Sequence, residues 1–190
     1  MTAQGIKTWH IVIAGATQSD GEFNGSLRLW LEMGHLRNAE TCVSLHEWDS
    51  DWGELANKID LANHNGDRPD VRIYAYSWGA GHGAITLAKE LQARGITVKT
   101  LCACDPVYHS WLWSLRWLAM VRGPVIRVPA NVREVCGVFQ TTNKPAGHRM
   151  VAVDPTATRV RLFLELHGVE HHWMDDQPAW HDLCLGVAKG

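Results

Sequence analysis

The stretch YAYSWGAGHGA, residues 74–84, sets one hydroxyl, Ser77, between a strand-like run holding Val71 and Ile73 and a helix-like run holding Ile85, Leu87, Ala88 and Leu91. A tight turn at such a junction raises the serine side chain above the carboxyl edge of a sheet, the edge where open α/β sheets bind ligands. It forces a positive φ on the serine and brings the residues two before and two after nearly into contact, so both must be small. Here they are Ala75 and Gly79, and smallness continues through Ala80, Gly81, Gly83 and Ala84. A helix that starts this way can lie close on the sheet and aim its first amides at a developing anion. The plainer role is an ordinary small-residue turn between strand and helix. The chemistry on offer is acyl transfer: a serine hydroxyl attacks an acyl carbon once a base takes its proton, and an imidazole is that base when an acid fixes its tautomer and stabilises its cation.

Two further places can supply those partners. In LCACDPVY, Asp105 follows directly on the next strand-like run, at the same sheet edge as Ser77; an Asx turn or helix cap is its plainer role. In LELHGVEHHWMDDQPAWHD, four histidines follow the last strand-like run: His167, His171, His172 and His181. His167 is closest to the strand end and His181 falls in the final helix, which favours the loop pair His171 and His172. A metal site built from His171, His172, Asp175, Asp176 and His181 competes, but no ligand spacing such as His-Glu-x-x-His is present, and neither metal nor other cofactor is expected. For the oxyanion, the amide of Trp78, next after Ser77, is one donor, and the second belongs to the loop after the first strand, AGATQSDG.

The elements that must hold these groups alternate along the chain. Short apolar runs at 9–15, 41–48, 71–77, 97–105, 132–140 and 159–166 read as strands. Amphipathic runs at 26–36, 52–64, about Ala80 to Ala93 and about Ala179 to Ala188 read as helices. The run from Val98 to Cys104 is apolar on both alternating faces, as a strand covered on both sides must be. The expected fold is a three-layer α/β/α sandwich around a mostly parallel sheet of about six strands, in one domain spanning 1–190. Residues 141–159, TTNKPAGHRMVAVDPTATR, form the longest irregular region.

Taken together, the Ala-x-Ser-x-Gly turn, the Asp-Pro pair and the late histidines resemble the α/β-hydrolase superfamily, in particular small lipases and esterases without a large cap domain. Alanine at the first position departs from Gly-x-Ser-x-Gly but also occurs among bacterial lipases of that family. The resemblance implies a nucleophile elbow at Ser77 and the chain order serine, acid, histidine. Asp105-Pro106 is similar to the Asp-Pro pair that carries the catalytic acid in pancreatic-type lipases; most other members place the acid one strand later, where FQTTNKP here offers no carboxylate. HHWMDDQP resembles His-x-x-Ile-Asp-Asp-x-Pro segments of small bacterial and phage-type predicted hydrolases, which aligns the base with His171 and leaves His172 as its alternative. By similarity to cutinases and lipases the second oxyanion donor is the amide of Ala16, with the Thr17 hydroxyl nearby.

A chain of 190 residues, 46% hydrophobic, with Lys+Arg 18 against Asp+Glu 20, gives no electrostatic case for nucleic acid or an anionic membrane. No run approaches a transmembrane span, and Ile11 to Ala14 is too short for a signal-peptide core. Five cysteines scattered in apolar contexts suit reduced thiols and a cytoplasmic location. Of ten tryptophans, Trp111, Trp113 and Trp117 follow the Asp-Pro pair in a segment apolar nearly all round, Trp111 with Leu115 and Leu118 on one helical face and Trp113 with Trp117 on another. It is either a substrate wall or lid, or a helix sealed against the core or a dimer partner. The expected activity is carboxylic ester hydrolysis on a small molecule with an apolar acyl or aromatic group, with a homodimer or transient lipid-surface contact left open. A thioesterase, acyltransferase or peptidase would use the same groups. A noncatalytic protein of this fold, binding through the Trp-rich face, or a peripheral membrane binder are the alternatives outside enzymology.

Overall fold

Period-two alternation along the central strands sends successive side chains into two different cores. In the computed structural model, which describes residues 6–16, 18, 23–64, 68–110, 113–121 and 123–190, these strands are β1 (Thr8–Ile13), β2 (Thr41–His46), β3 (Asp70–Tyr76), β4 (Val98–Cys104), β6 (Val132–Phe139) and β8 (Arg159–Glu165). They form one sheet in the order β2-β1-β3-β4-β6-β8, every neighbouring pair parallel. Ile11, Ile13, Ile73, Ala75, Leu101 and Ala103 point to one face, where they meet α2 (Trp52–His64) and α3 (Ala84–Ala93). Val12, Tyr74, Tyr76, Cys102 and Cys104 point to the other, against α1 (Gly25–Glu32) and α4 (Pro178–Lys189). The result is the three-layer α/β/α sandwich around a parallel six-stranded sheet expected from the sequence, with no large cap among the described residues.

Local signals fix the helix starts. Asn24 caps α1 by accepting from the Leu27 N–H at 2.9 Å, and Asp51 does the same for α2 through the Glu54 N–H at 2.9 Å. At its far end α4 is held by the sheet: Arg72 of β3 donates to the Val187 and Ala188 carbonyls, satisfying groups that the last helical turn leaves open. Asp70 pairs with the same guanidinium at 2.7 Å.

Two parts of the sequence reading need correction. The irregular region at 141–159 contains a short strand, β7 (Met150–Ala152), which pairs in parallel with β5 (Ile126–Val128) as a separate two-stranded sheet. Three-residue strands carry too little alternation to be seen in a sequence. The Trp-rich segment is a 3₁₀ helix, Trp113–Met120, not an α-helix. At three residues per turn its faces repeat every third residue, which puts Trp117 with Met120 and keeps Leu115 with Leu118.

All five cysteines are free thiols, and Cys102, Cys104, Cys136 and Cys184 are buried together on the α1/α4 side of the sheet, Cys102 and Cys136 with their Sγ atoms 3.6 Å apart. Among the described residues no helix is long and apolar enough to cross a membrane.

His10 is buried on β1 with Nδ1 2.9 Å from the Tyr74 hydroxyl. Burial, reinforced by the Arg72 charge and only partly opposed by Asp70, holds its pKa down to about 4. Between about pH 6.5 and pH 4 the unfolded chain therefore binds the proton that the folded chain refuses, so stability falls as pH falls through that window. We expect His10 to account for on the order of 2 kcal/mol of this loss. Replacing it by Gln, which keeps a hydrogen-bonding partner for Tyr74, should flatten the pH dependence of the urea midpoint; an unchanged slope would assign the loss to other groups.

Candidate active site

Ser77 sits immediately after β3 with φ 56°, the left-handed conformation that a non-glycine residue adopts only under constraint. The constraint is visible in its backbone bonds. Its N–H donates to the Cys104 carbonyl at 3.0 Å, and its own carbonyl accepts from the N–H groups of Ala80, Gly81 and Val107 at 3.0–3.1 Å. Small residues make this packing feasible. A Cβ on Gly79 would run into Ala14 O and Ile13, and one on Gly81 would overlap the Val107 carbonyl. The chain then makes a π-helical turn, Gly79–Gly83, before settling into α3.

Asp105 occupies the matching position after β4, also left-handed at φ 41°. Pro106 disfavours the right-handed helical region for the residue before it, and Asp is among the few side chains that tolerate the left-handed one. The carboxylate is 0% exposed. A buried charge needs partners, and it has three: the Gln140 N–H at 3.1 Å and Gln140 Nε2 at 2.9 Å donate to it, and His171 Nδ1 lies 2.5 Å from Oδ2. With its Nδ1 proton directed to the carboxylate, His171 presents the Nε2 lone pair to the Ser77 hydroxyl, 2.9 Å away. Ser77, His171 and Asp105 thus form one hydrogen-bonded row across three chain segments.

The imidazole is fixed from its own backbone too. Asn143 Oδ1 accepts from the His171 N–H at 2.9 Å, the Tyr76 hydroxyl donates to the His171 carbonyl at 2.7 Å, and the Tyr76 ring stacks on the imidazole. The other late histidines face elsewhere. His172, the alternative base, is exposed and lies 3.5 Å from the Glu170 carboxylate; His167 is exposed beside Glu165; His181 bonds Glu32 and the Asp175 carbonyl. The adjacent positions diverge because His171 and His172 lie in a 3₁₀ turn, where neighbouring side chains point about 120° apart. Among the described residues no group of three or more His, Cys, Asp or Glu side chains is placed to hold a metal ion.

Of the two amides expected to face an oxyanion, Trp78 opens the helix directly after Ser77, and Ala16 follows Gly15, where an added Cβ would lie 3.1 Å from Ser77 Cβ. Thr17 lies outside the described residues. So does Trp111 of the suggested wall, and of Trp113 only the backbone is described. Trp117 is 58% exposed and Met120 and Val121 are exposed with it. The segment is anchored from below by buried His148, which accepts from the Tyr108 N–H and donates from Nε2 to the Val121 carbonyl at 2.8 Å. A cavity of about 400 Å³ lies between Met120, Val121 and the 141–146 loop, with Asn143 in its lining.

Beside Ser77 stands a ring cluster that the sequence did not reveal. Trp78 packs on Trp48 at 5.1 Å and edge-on to His109 at 4.8 Å, and His82 lies 4.6 Å from His109. Burial, the proximity of His82 and the Arg116 charge depress His109 to about 4; burial and Lys89 also lower His82. Both rings are therefore neutral at pH 7, and the wall is aromatic and uncharged.

No family model matches the chain, and no curated protein matches it. Two similar solved structures are RedJ with a PEG molecule bound in its active site (13% identity, 100% of this chain and 91% of that one, TM-score 0.48) and the RedJ thioesterase of the prodiginine biosynthetic pathway of Streptomyces coelicolor (13% identity, 97% and 85%, TM-score 0.46).

Gln140 is the group near the row that sequence reasoning passed over. Removing its side-chain donor, with the backbone N–H still in place, leaves part of a buried carboxylate unsatisfied, at a cost of about 1–3 kcal/mol. We expect Gln140→Leu to lower the denaturant midpoint accordingly, and Gln140→Glu to lower it further by setting a second carboxylate against the first. A midpoint unchanged in Gln140→Leu would mean that Asp105 does not depend on the Nε2 bond.

Proposed function

We propose that this protein is a serine hydrolase acting on carboxylic esters of small molecules with an apolar acyl or aromatic group. The observation that carries the reading is the unbroken row from Ser77 Oγ to His171 Nε2 at 2.9 Å and from His171 Nδ1 to Asp105 at 2.5 Å, ending on a serine held in left-handed conformation.

In this reading Ser77 Oγ attacks the acyl carbon as His171 Nε2 takes its proton, and Asp105 stabilises the imidazolium that forms. The amides of Trp78 and Ala16 receive the oxyanion of the tetrahedral intermediate. His171 then returns the proton to the leaving alkoxide oxygen as the C–O bond breaks. Water, deprotonated by the same imidazole, attacks the acyl-enzyme, and collapse of the second tetrahedral intermediate releases the acid and restores Ser77. The uncharged cluster of Trp48, Trp78, His82 and His109 and the exposed apolar edge at Trp117 and Met120 support an apolar rather than an ionic substrate. A thioester would pass through the same intermediates, so oxygen and sulfur esters of one acyl chain, assayed side by side, distinguish the leaving atom.

A fluorophosphonate probe should label the native protein on Ser77, with labelling lost in Ser77→Ala and His171→Ala and retained in His172→Ala. Ester hydrolysis should fall about 10⁴-fold or more in Ser77→Ala. A folded wild-type protein that takes no label would sink the hydrolase reading and favour a noncatalytic binding protein.

A further inference from the structure

Asp175, four residues after His171, is fully buried, yet it takes no part in the row that ends on Asp105. Its Oδ2 accepts from the Ser26 N–H at 3.0 Å, in the first turn of α1, and from Gln18 Nε2 at 2.5 Å. Gln18 in turn grips the loop after β1. Its side-chain carbonyl accepts from the Gly15 N–H and from the Ser26 hydroxyl, both at 3.0 Å, while its backbone N–H donates to the Gly15 carbonyl at 3.1 Å. Gly15 is therefore bonded at both its amide and its carbonyl by one residue, and Ala16 is carried on the turn so formed. On the other side, the Met174 N–H closes the His171 turn on the His171 carbonyl at 3.1 Å, and His181 Nε2 donates to the Asp175 carbonyl at 2.8 Å.

We propose that Asp175 and Gln18 are positioning residues, a hydrogen-bonded pair that sets the turn carrying Ala16 and the turn carrying His171 in register with each other across Ser77. The inference rests on the serine-hydrolase reading, and supplies what that reading lacks: a reason why the loop after β1 should stand at a fixed height above the nucleophile. Burial is tight enough to make the pair exacting. A Cβ on Gly25 would overlap the Asp175 backbone, and Asp175 Oδ1 has no hydrogen-bond partner among the described residues. A buried carboxylate retained with one oxygen unpartnered is costly for stability alone, which points to the geometry it imposes on others.

The distinction between positioning and plain structural support lies in kinetics. Gln18→Met keeps the size of the side chain and leaves the Asp175–Ser26 bond in place, but lets the Gly15 turn relax. It should lower kcat for a p-nitrophenyl acyl ester about 10- to 100-fold, the scale on which a misplacement of about 1 Å acts, with KM within about twofold and fluorophosphonate labelling slowed in parallel. Asp175→Asn, whose amide oxygen still accepts from Gln18, should keep most of the activity that Asp175→Ala loses. Gln18→Glu places two carboxyl groups where one donor and one acceptor stood, so they hold together only while sharing a proton. That variant should lose activity with rising pH over the range where the wild type gains it.

Gln18→Met with wild-type kcat, equal losses in Asp175→Asn and Asp175→Ala, or a wild-type pH profile in Gln18→Glu would each overturn the proposal while leaving a labelled Ser77 untouched. A wild-type protein that takes no fluorophosphonate strikes the hydrolase reading itself and this one with it. Thermal melting of each variant separates loss of position from loss of fold.

Discussion

The Val107 N–H donates to the Ser77 carbonyl at 3.0 Å, and that bond ties together two left-handed turns at the ends of adjacent parallel strands. Neither turn is favourable alone; a non-glycine residue in such a conformation costs on the order of 1–3 kcal/mol. Each is held because the strand before it is fixed in the sheet and the chain after it is bonded to the other turn. β3 and β4 run in register from Arg72 opposite Thr100 to Tyr76 opposite Cys104, so Ser77 and Asp105 emerge side by side at one edge. The distance between hydroxyl and carboxylate is thereby set by strand spacing, and one imidazole fits between them. Glycine at 81 is required where the two turns meet, since a side chain there would occupy the place of the Val107 carbonyl.

A carboxylate with no solvent exposure is the second constraint, because desolvating a charge costs several kcal/mol unless its oxygens are filled. The strand beside β4 fills them. Asp105 N–H donates to the Val138 carbonyl of β6, and the residue just past the end of β6, Gln140, returns two donors to the carboxylate. Gln140 also organises the loop beyond it, accepting from the Asn143 N–H and donating to the Pro145 carbonyl, so that Asn143 meets the backbone of His171. Satisfying the Asp105 carboxylate and placing His171 are thus parts of one network. Gly147 completes the enclosure, since a Cβ at that position would collide with Asp105 Oδ1.

The legible part of this architecture was the part written in local pattern. Short apolar runs holding HIVI, RIYAY and LCACD marked the strands, and the small residues around Ser77 marked the turn because steric crowding there acts between near neighbours in the chain. Asp105 and the His171/His172 pair were readable as strand-end and loop groups, but one residue could not be chosen over the other from spacing, since that choice depends on the turn His171 enters and on Tyr76 and Asn143 waiting for it. Gln140, Gln18 and His148 carried no signal. Each of these carboxamides and the lone imidazole has a partner 27 to 157 positions away, and no local periodicity encodes such a pairing. The Trp-rich segment misled for a related reason: its apolar residues follow a 3₁₀ turn pinned by His148, whereas the sequence pattern was weighed against an α-helical wheel.

The division of the molecule into two cores gives the serine turn and the histidine turn different kinds of support. The serine turn belongs to the α2/α3 side, where Gly79, Ala80 and Ala84 press the helix start onto Ile13 and Ala14 with no room for displacement. The histidine turn belongs to the other side, held by Tyr76, by buried Met174 and by the polar cluster of Asp175, Gln18 and Ser26 above α1. Apolar packing against backbone fixes position by excluded volume, while a hydrogen-bonded cluster fixes it by the length and direction of its bonds. Close packing sets where the serine turn stands, and directional bonds from Tyr76 and Asn143 set how the His171 turn faces it. The sheet separates the two kinds of support and brings them together only at its carboxyl edge.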